Sequence, residues 1–346
     1  MLVVCAVVLG VLAGLLLAWP VLMVSRVNDA LDRVDSLLGD ARAPRSRDIR
    51  GPLNFLLIGS NWRDNNPSNG ERADSIMIVH VPRDMNRAFL VSVPRDLYFT
   101  IKPYAPTHFE GSTEKIDAAL NHGGMPLMAQ TVADLTDLKF NGAVEARFAG
   151  FQKAVTALGG VDMCVDQKTT SVHVGHDQNG NYAAPYQNLD ADPEPVPGIT
   201  PHVYYPGCQH LEPWAALDYV RQRILLPGGD YDRQRHQQQL IMAVLKQTTS
   251  AGTLTDPIKL DQVLRTIAQS VTIDTNGHSL IDLVLALRGI KAESLVGIRT
   301  PSRPEMMGGT SYVLGEPGMP ELWKAIRNDT LDTYAAAHPE LLNSLG

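Results

Sequence analysis

Arginines and aspartates gather at a few points of this chain, and their spacing suits phosphate chemistry. Arg72 and Asp74 immediately precede one apolar run, and Arg95 and Asp96 immediately follow another. If those runs are adjacent antiparallel strands joined by the turn at residues 84–87, Asp74 and Asp96 converge. A pair of hard carboxylate oxygens suits Mg²⁺, whose other ligands are waters and phosphates. The competing reading is ordinary surface ion pairs or turn caps. Further on come Arg221, Arg223, Arg233 and Arg235. On a continuous helix Arg221 and Arg223 point about 200° apart, so both face one ligand only if the helix ends between them. The run Leu225-Leu226-Pro227-Gly228-Gly229 predicts such an ending. In the next helix Arg233 and Gln237 share a face, with His236 alongside. Guanidinium forks match phosphate oxygens, and a helix N-terminus favours an anion. The alternative there is a solvated basic face compensating Asp230 and Asp232.

Absent motifs narrow the chemistry. The chain has no Walker loop, no dinucleotide-binding G-x-G-x-x-G, no H-E-x-x-H and no G-x-S-x-G elbow. Its 30 Lys+Arg against 37 Asp+Glu give a net charge of -7, so no global basic field is available for nucleic acid. Any anion must be met by local arginines. With 44% hydrophobic and 19% charged residues among 346, the chain is expected to fold. Three cysteines without a C-x-x-C pair argue against structural zinc or a thioredoxin-type motif. Cys164 and Cys208 are either disulfide-bonded, which implies an oxidising exterior compartment, or two buried thiols. Cys5 reads as a small apolar residue.

The elements that must position these groups follow from periodicity. Residues 1–24 carry no charge and, at roughly 1.5 Å per helical residue, span the ~30 Å hydrocarbon core of a membrane. A cleaved signal peptide fits less well, because the apolar run is too long and no A-x-A site follows. Flanking charges do not decide the orientation. Residues 25–51, with Val27, Leu31, Val34 and Leu37 at helical spacing, read as an amphipathic juxtamembrane helix and linker. The globular domain is placed at 52–340. Strands are expected at 54–59, 75–81, 88–93, 143–148 and 161–165, with helices at 126–137 and 151–158 between them. Residues 166–206 lack periodicity and read as a long functional loop or flap. Helices are expected at 213–221, 231–250, 260–270, 279–287 and 321–337. Strands interleaved with helices predict an α/β sandwich in one domain.

Seven short segments, in order, carry a resemblance: Leu56-Leu57-Ile58-Gly59-Ser60, Arg72-Ala73-Asp74-Ser75, Ser92-Val93-Pro94-Arg95-Asp96, Lys115-Ile116-Asp117-Ala118-Ala119, Gly159-Gly160-Val161-Asp162, Gly207-Cys208-Gln209-His210-Leu211, and Tyr219-Val220-Arg221-Gln222-Arg223 continuing to Gly229-Asp230, Arg233 and Gln237-Gln238. Their order and spacing resemble the LytR-CpsA-Psr family of membrane-anchored phosphotransferases over about residues 53–245. The resemblance implies a three-layer αβα sandwich with a central mixed sheet. It implies a single-pass membrane protein whose catalytic domain, outside the cytoplasm, moves a glycopolymer phosphate from a polyprenyl-pyrophosphate carrier to the 6-hydroxyl of N-acetylmuramic acid in peptidoglycan. It implies Mg²⁺ (or Mn²⁺) held by Asp74 and Asn61. Arg95, Arg221, Arg223, Arg233 and Gln237 would bind the pyrophosphate, Asp96 would act as electrostatic or general-base group, and an apolar tunnel would hold the prenyl chain. Partners would be the carrier-linked polymer, peptidoglycan and the membrane, with no nucleic acid.

Two positions depart from the family pattern. Asn61 stands where an aspartate is usual, with Asp64 nearby as a substitute, and His236 stands where an arginine commonly precedes Gln237. The cysteine pair is similar to that of high-GC Gram-positive members, which points to an arabinogalactan-like wall glycan. Residues after 252 match no motif and are expected to complete the tunnel wall. The same groups would serve a polyprenyl-pyrophosphate phosphatase, and the missing carboxylate at Asn61 keeps a non-catalytic lipid- or wall-binding protein in view.

Overall fold

Successive side chains on a strand point to opposite faces, so a run that is apolar at every position must be covered on both sides. Such runs build the centre of this molecule. The computed structural model describes residues 32–33, 36–46, 48–60, 71–189, 193–248 and 271–345. The expected membrane helix, Asn61, Asp64 and the helix expected at 260–270 lie outside them. No helix of the described residues is long and apolar enough to cross a membrane.

Eight strands, numbered along the chain, form the central sheet: β1 (Asp32–Arg33), β2 (Leu53–Ser60), β3 (Ala73–Val81), β4 (Ala88–Val93), β5 (Gly142–Arg147), β6 (Val271–Asp274), β7 (Leu295–Arg299) and β8 (Leu342–Asn343). Their order is β1-β6-β5-β2-β3-β4-β7-β8. β3 runs antiparallel to both β2 and β4, whereas β5 joins β2 and β7 joins β4 in parallel. Leu57, Met77, Val79 and Leu90 point to one face, and Leu56, Ile76, Ile78 and Val91 to the other. The first face is covered by α2 (Phe148–Leu158), α3 (Pro213–Tyr219), α4 (Asp230–Thr248) and α5 (Leu280–Leu287). The second lies under α1 (Ala118–Thr136), α6 (Gly318–Arg327) and α7 (Leu331–Ala337). This is a three-layer αβα sandwich on a mixed sheet.

Several expected elements are corrected. Most of the expected juxtamembrane helix lies outside the described residues, and those of 25–51 that are described hold β1, which pairs with β6, and a 3-10 turn at Gly39–Ala41. Leu37, Leu38 and Ala41 bury their side chains in the core beneath α1, whereas Val27, Leu31 and Val34 lie outside the described residues. Residues 166–206 are no featureless loop. They form a three-stranded antiparallel sheet (Tyr182–Ala183, Thr169–His176, Thr200–Tyr204) and a small two-stranded pair, Tyr186–Gln187 with Glu194–Pro195. Residues after 252 supply strands as well as helices: β6, β7, β8 and the hairpin Ser302–Met307 with Thr310–Gly315. The helix expected at 321–337 is split between α6 and α7, where Asp329 adopts φ 55°.

The cysteines are disulfide-bonded. Cys164 and Cys208 occupy directly opposite positions on the antiparallel strands Val161–Val165 and Gly207–Leu211, where the linkage clamps residues 44 apart in sequence.

Candidate active site

β3 and β4 place their polar flanks together, as the spacing requires. Ile76 pairs with Val93, so the start of β3 lies beside the end of β4. Arg95 Nη1 donates to Asp74 Oδ1 at 2.6 Å, and Arg95 Nε lies 3.7 Å from Asp96 Oδ2. The two aspartates therefore converge on a guanidinium, not directly on each other. Asp96 is held from its other side by Lys115 Nζ at 2.8 Å. Arg95 itself is 15% exposed. Burial disfavours its charge, but Asp74, Asp230, Asp96 and Asp117 together hold its pKa above the ordinary arginine value.

The second half of the site comes from the α3–α4 connection. α3 ends at Tyr219, before Arg221, whereas the expected break lay between Arg221 and Arg223. Both residues thus sit in the turn and reach the same cleft. Arg233, in the first turn of α4, pairs with Asp230 at 2.5 Å and donates from Nη2 to the backbone oxygen of Asp74 at 3.2 Å. This last bond ties α4 to β3. Burial lowers the Arg233 pKa against the pull of Asp230. For Asp230 burial works the other way, yet Arg233 and Arg95 keep it ionised below the usual carboxylate range.

Six of these side chains line one cleft of about 210 Å³: Asp74, Arg95, Arg221, Arg223, Arg233 and Gln237. The same cleft is also lined by apolar side chains, Val172, Leu217, Val220, Ile224 and Leu240. An anion with a hydrocarbon tail has a place for each part. His173 and Leu189, from the sheet at 166–206, also line the cleft. Their contribution was hidden because that segment carries no periodic apolar signal.

Not every expected group is in the cleft. Asp96 lies outside its lining. His236 is fully buried, stacked on Tyr219 at 4.3 Å and hydrogen-bonded to Asp166 at 3.2 Å. Arg235 bonds Asp166 at 2.5 Å and Asp232 at 2.7 Å. Although burial opposes it, His236 and Arg235 hold the Asp166 carboxyl far below the usual range. These residues anchor α4 to the strand that carries Cys164.

The sequence reading gave no role to Asp117, although Lys115-Ile116-Asp117 marked its place. Its carboxyl is 2% exposed and meets Arg72 at 3.2 Å, while its backbone N–H donates to the Arg95 carbonyl at 3.1 Å. Burial pushes its pKa up to about 6 despite Arg72.

The donor set for a divalent cation is sparse. One oxygen of Asp74 is committed to Arg95, and Asp96 is committed to Lys115 and Arg95, so the expected carboxylate pair is taken up by cations of the chain. Among the described residues no three His, Cys, Asp or Glu side chains group as a metal site. The second oxygen of Asp74 fits Mg²⁺ that draws its other ligands from substrate phosphates and water.

Comparison with known proteins places the chain. The LytR_cpsA_psr family model matches residues 23–328. A probable cell wall biosynthesis protein of Corynebacterium glutamicum, LcpB, is 30% identical over 295 residues, which cover 81% of this chain and 61% of that protein. The Bacillus cereus polyisoprenyl-teichoic acid--peptidoglycan teichoic acid transferase TagU is 28% identical over 232 residues, 67% of this chain and 63% of that one. The chain thus spans about half to just under two thirds of the length of the curated relatives it matches. In fold it is similar to a Streptococcus agalactiae protein (TM-score 0.63, 21% identity, covering 81% of this chain and 88% of that one) and to Bacillus subtilis TagV (TM-score 0.59, 21% identity, 82% and 98%). The family model spans most of the sequence, and the chain belongs to the LytR_cpsA_psr family.

Proposed function

We propose that this protein is a glycopolymer–peptidoglycan phosphotransferase acting on a polyprenyl-pyrophosphate carrier. The observation that carries the reading is Arg95, bridging Asp74 and Asp96 at a cleft lined by both arginines and aliphatic side chains. Arg95, Arg221, Arg223 and Arg233 neutralise the pyrophosphate, Gln237 adds an amide, and the apolar lining residues receive the start of the prenyl chain. Phosphoryl transfer asks mainly for such charge stabilisation and for an acceptor held in line. A hydroxyl oxygen of the acceptor, the 6-hydroxyl of N-acetylmuramic acid in this reading, forms a bond to the phosphorus that carries the glycopolymer. The bond from that phosphorus to the bridging oxygen breaks, and polyprenyl monophosphate leaves with the electron pair. Asp96 orients the hydroxyl and takes its proton. When bound, Mg²⁺ on Asp74 would supply further neutralisation of the leaving phosphate.

The family relation, the TagU likeness and the disulfide, which suits an oxidising compartment, support a location outside the cytoplasm. Residues 1–24 would provide the anchor. The test is a radiolabelled carrier-linked donor incubated with peptidoglycan fragments and the full chain. Label in the wall fraction is the expected result, and label released only as water-soluble phosphate polymer would mean a phosphatase instead.

A further inference from the structure

Asp96 does not line the arginine cleft, and two aromatic rings lie close to its partner Lys115. The hairpin Tyr98–Ile101 with Ser112–Lys115 sets Tyr98 directly opposite Lys115. The second hairpin, Ser302–Met307 with Thr310–Gly315, is fastened to the same place, since the Val313 N–H donates to the Asp96 carbonyl at 2.9 Å and Val313 pairs with Leu97. Tyr312 of that hairpin meets Tyr98 edge to face, with centroids 4.9 Å apart and planes at 70°. Lys115 Nζ stands 5.8 Å from the centre of the Tyr312 ring while it bonds Asp96 Oδ1 at 2.8 Å. Tyr98 is 39% exposed and Tyr312 is half-buried.

In-line transfer requires the attacking and leaving oxygens to lie on opposite sides of phosphorus. If the carrier leaves through the cleft, the acceptor must approach from the other side of Arg95, where Asp96, Lys115 and the two tyrosines are. A pyranose ring suits this pair of rings: its C–H face packs on an aromatic ring while its hydroxyls meet charged hydrogen-bonding groups at the edge. We propose that Tyr98 and Tyr312 form the acceptor subsite, which binds an N-acetylated hexopyranose of the wall glycan and presents its hydroxyl to Asp96. Lys115 holds Asp96 in place and has further N–H donors for the sugar. The proposal rests on the transferase reading above. As the acceptor O–P bond forms and the pyrophosphate P–O bond breaks, the hydroxyl proton passes to the Asp96 carboxylate.

Two readouts on the full chain test it: binding of a soluble N-acetylglucosaminyl–N-acetylmuramyl oligomer by calorimetry, and the acceptor-concentration dependence of transfer. Tyr98→Ala and Tyr312→Ala should each weaken oligomer binding and raise the acceptor KM by about tenfold, roughly the loss of 1.4 kcal/mol of binding. Tyr98→Trp should restore both, and all three variants should bind carrier-linked pyrophosphate as the wild type does. Unchanged oligomer affinity in both alanine variants, or no binding by the wild type, would overturn the subsite. Oligomer binding that is lost in the alanine variants, with no transfer by any form, would instead overturn the transferase reading and leave the subsite standing.

Discussion

Arg233 and Arg235 lie two residues apart on α4, yet they belong to different parts of the molecule. Arg233 turns into the cleft, where it meets Asp230 and the Asp74 backbone beside Arg95. Arg235 turns toward Asp166 and Asp232 and, with His236 and Gln239, ties α4 to the strand Val161–Val165. A two-residue step rotates a helical side chain by about 200°, so phase alone separates a group that can meet substrate from one that holds the scaffold. The comparison also recasts His236. Read as a missing guanidinium it is a deficit, but buried between Tyr219 and Asp166 it serves the anchor.

Substitutions on the two sides should fail in opposite ways. The largest effect is expected at the cleft: Arg95→Ala should lower transfer by about 10³-fold or more, since one arginine at a transferring phosphoryl group is worth that much. Circular dichroism should show an intact fold. On the anchor side, Cys208→Ser removes a cross-link between residues 44 apart and should lower unfolding stability by about 2–4 kcal/mol in a denaturant titration. The cleft arginines of that variant should still function below its unfolding midpoint.

The neighbouring arginines sharpen the contrast directly. Arg233→Gln should reduce kcat by about 10²-fold. Arg235→Gln should leave kcat within about threefold but cost about 1–3 kcal/mol of stability, because Asp166 and Asp232 each lose a charged partner. An Arg235→Gln protein as inactive as Arg233→Gln, yet equally stable, would erase the distinction.

Asp117 gives a smaller, pH-dependent effect. Its folded pKa of about 6 lies above the ordinary 3.8, so the folded state binds the proton more tightly. Its contribution to stability is therefore most favourable below about pH 4 and is lost as pH rises through about 6. Asp117→Asn should remove that loss and gain on the order of 2 kcal/mol over wild type at pH 8, with the difference closing toward pH 4 in urea titrations.

The sequence disclosed most where one element sufficed to explain a pattern. The uninterrupted apolar runs of β2, β3 and β4 need two covered faces, and the antiparallel pairing that follows brings Asp74 to Arg95. It disclosed least where strands are short, polar or paired with distant partners. Thr169–His176 mixes polar and apolar residues, and β7 finds β4 from some two hundred residues away in the chain. Such pairing leaves no local periodicity to read. For the same reason Tyr312 could not be placed beside Tyr98, and Arg233 could be told from Arg235 only once Asp166 had been located.

The central claim is that the arginine cleft releases a polyprenyl monophosphate only as the glycopolymer joins the wall. Quantifying both products in one reaction, for wild type and Arg95→Ala, tests it most directly. The account predicts equal molar amounts of polyprenyl monophosphate and wall-bound polymer for the wild type, and neither for the variant. Monophosphate released without wall-bound polymer, or an Arg95→Ala enzyme as active as wild type, would contradict it.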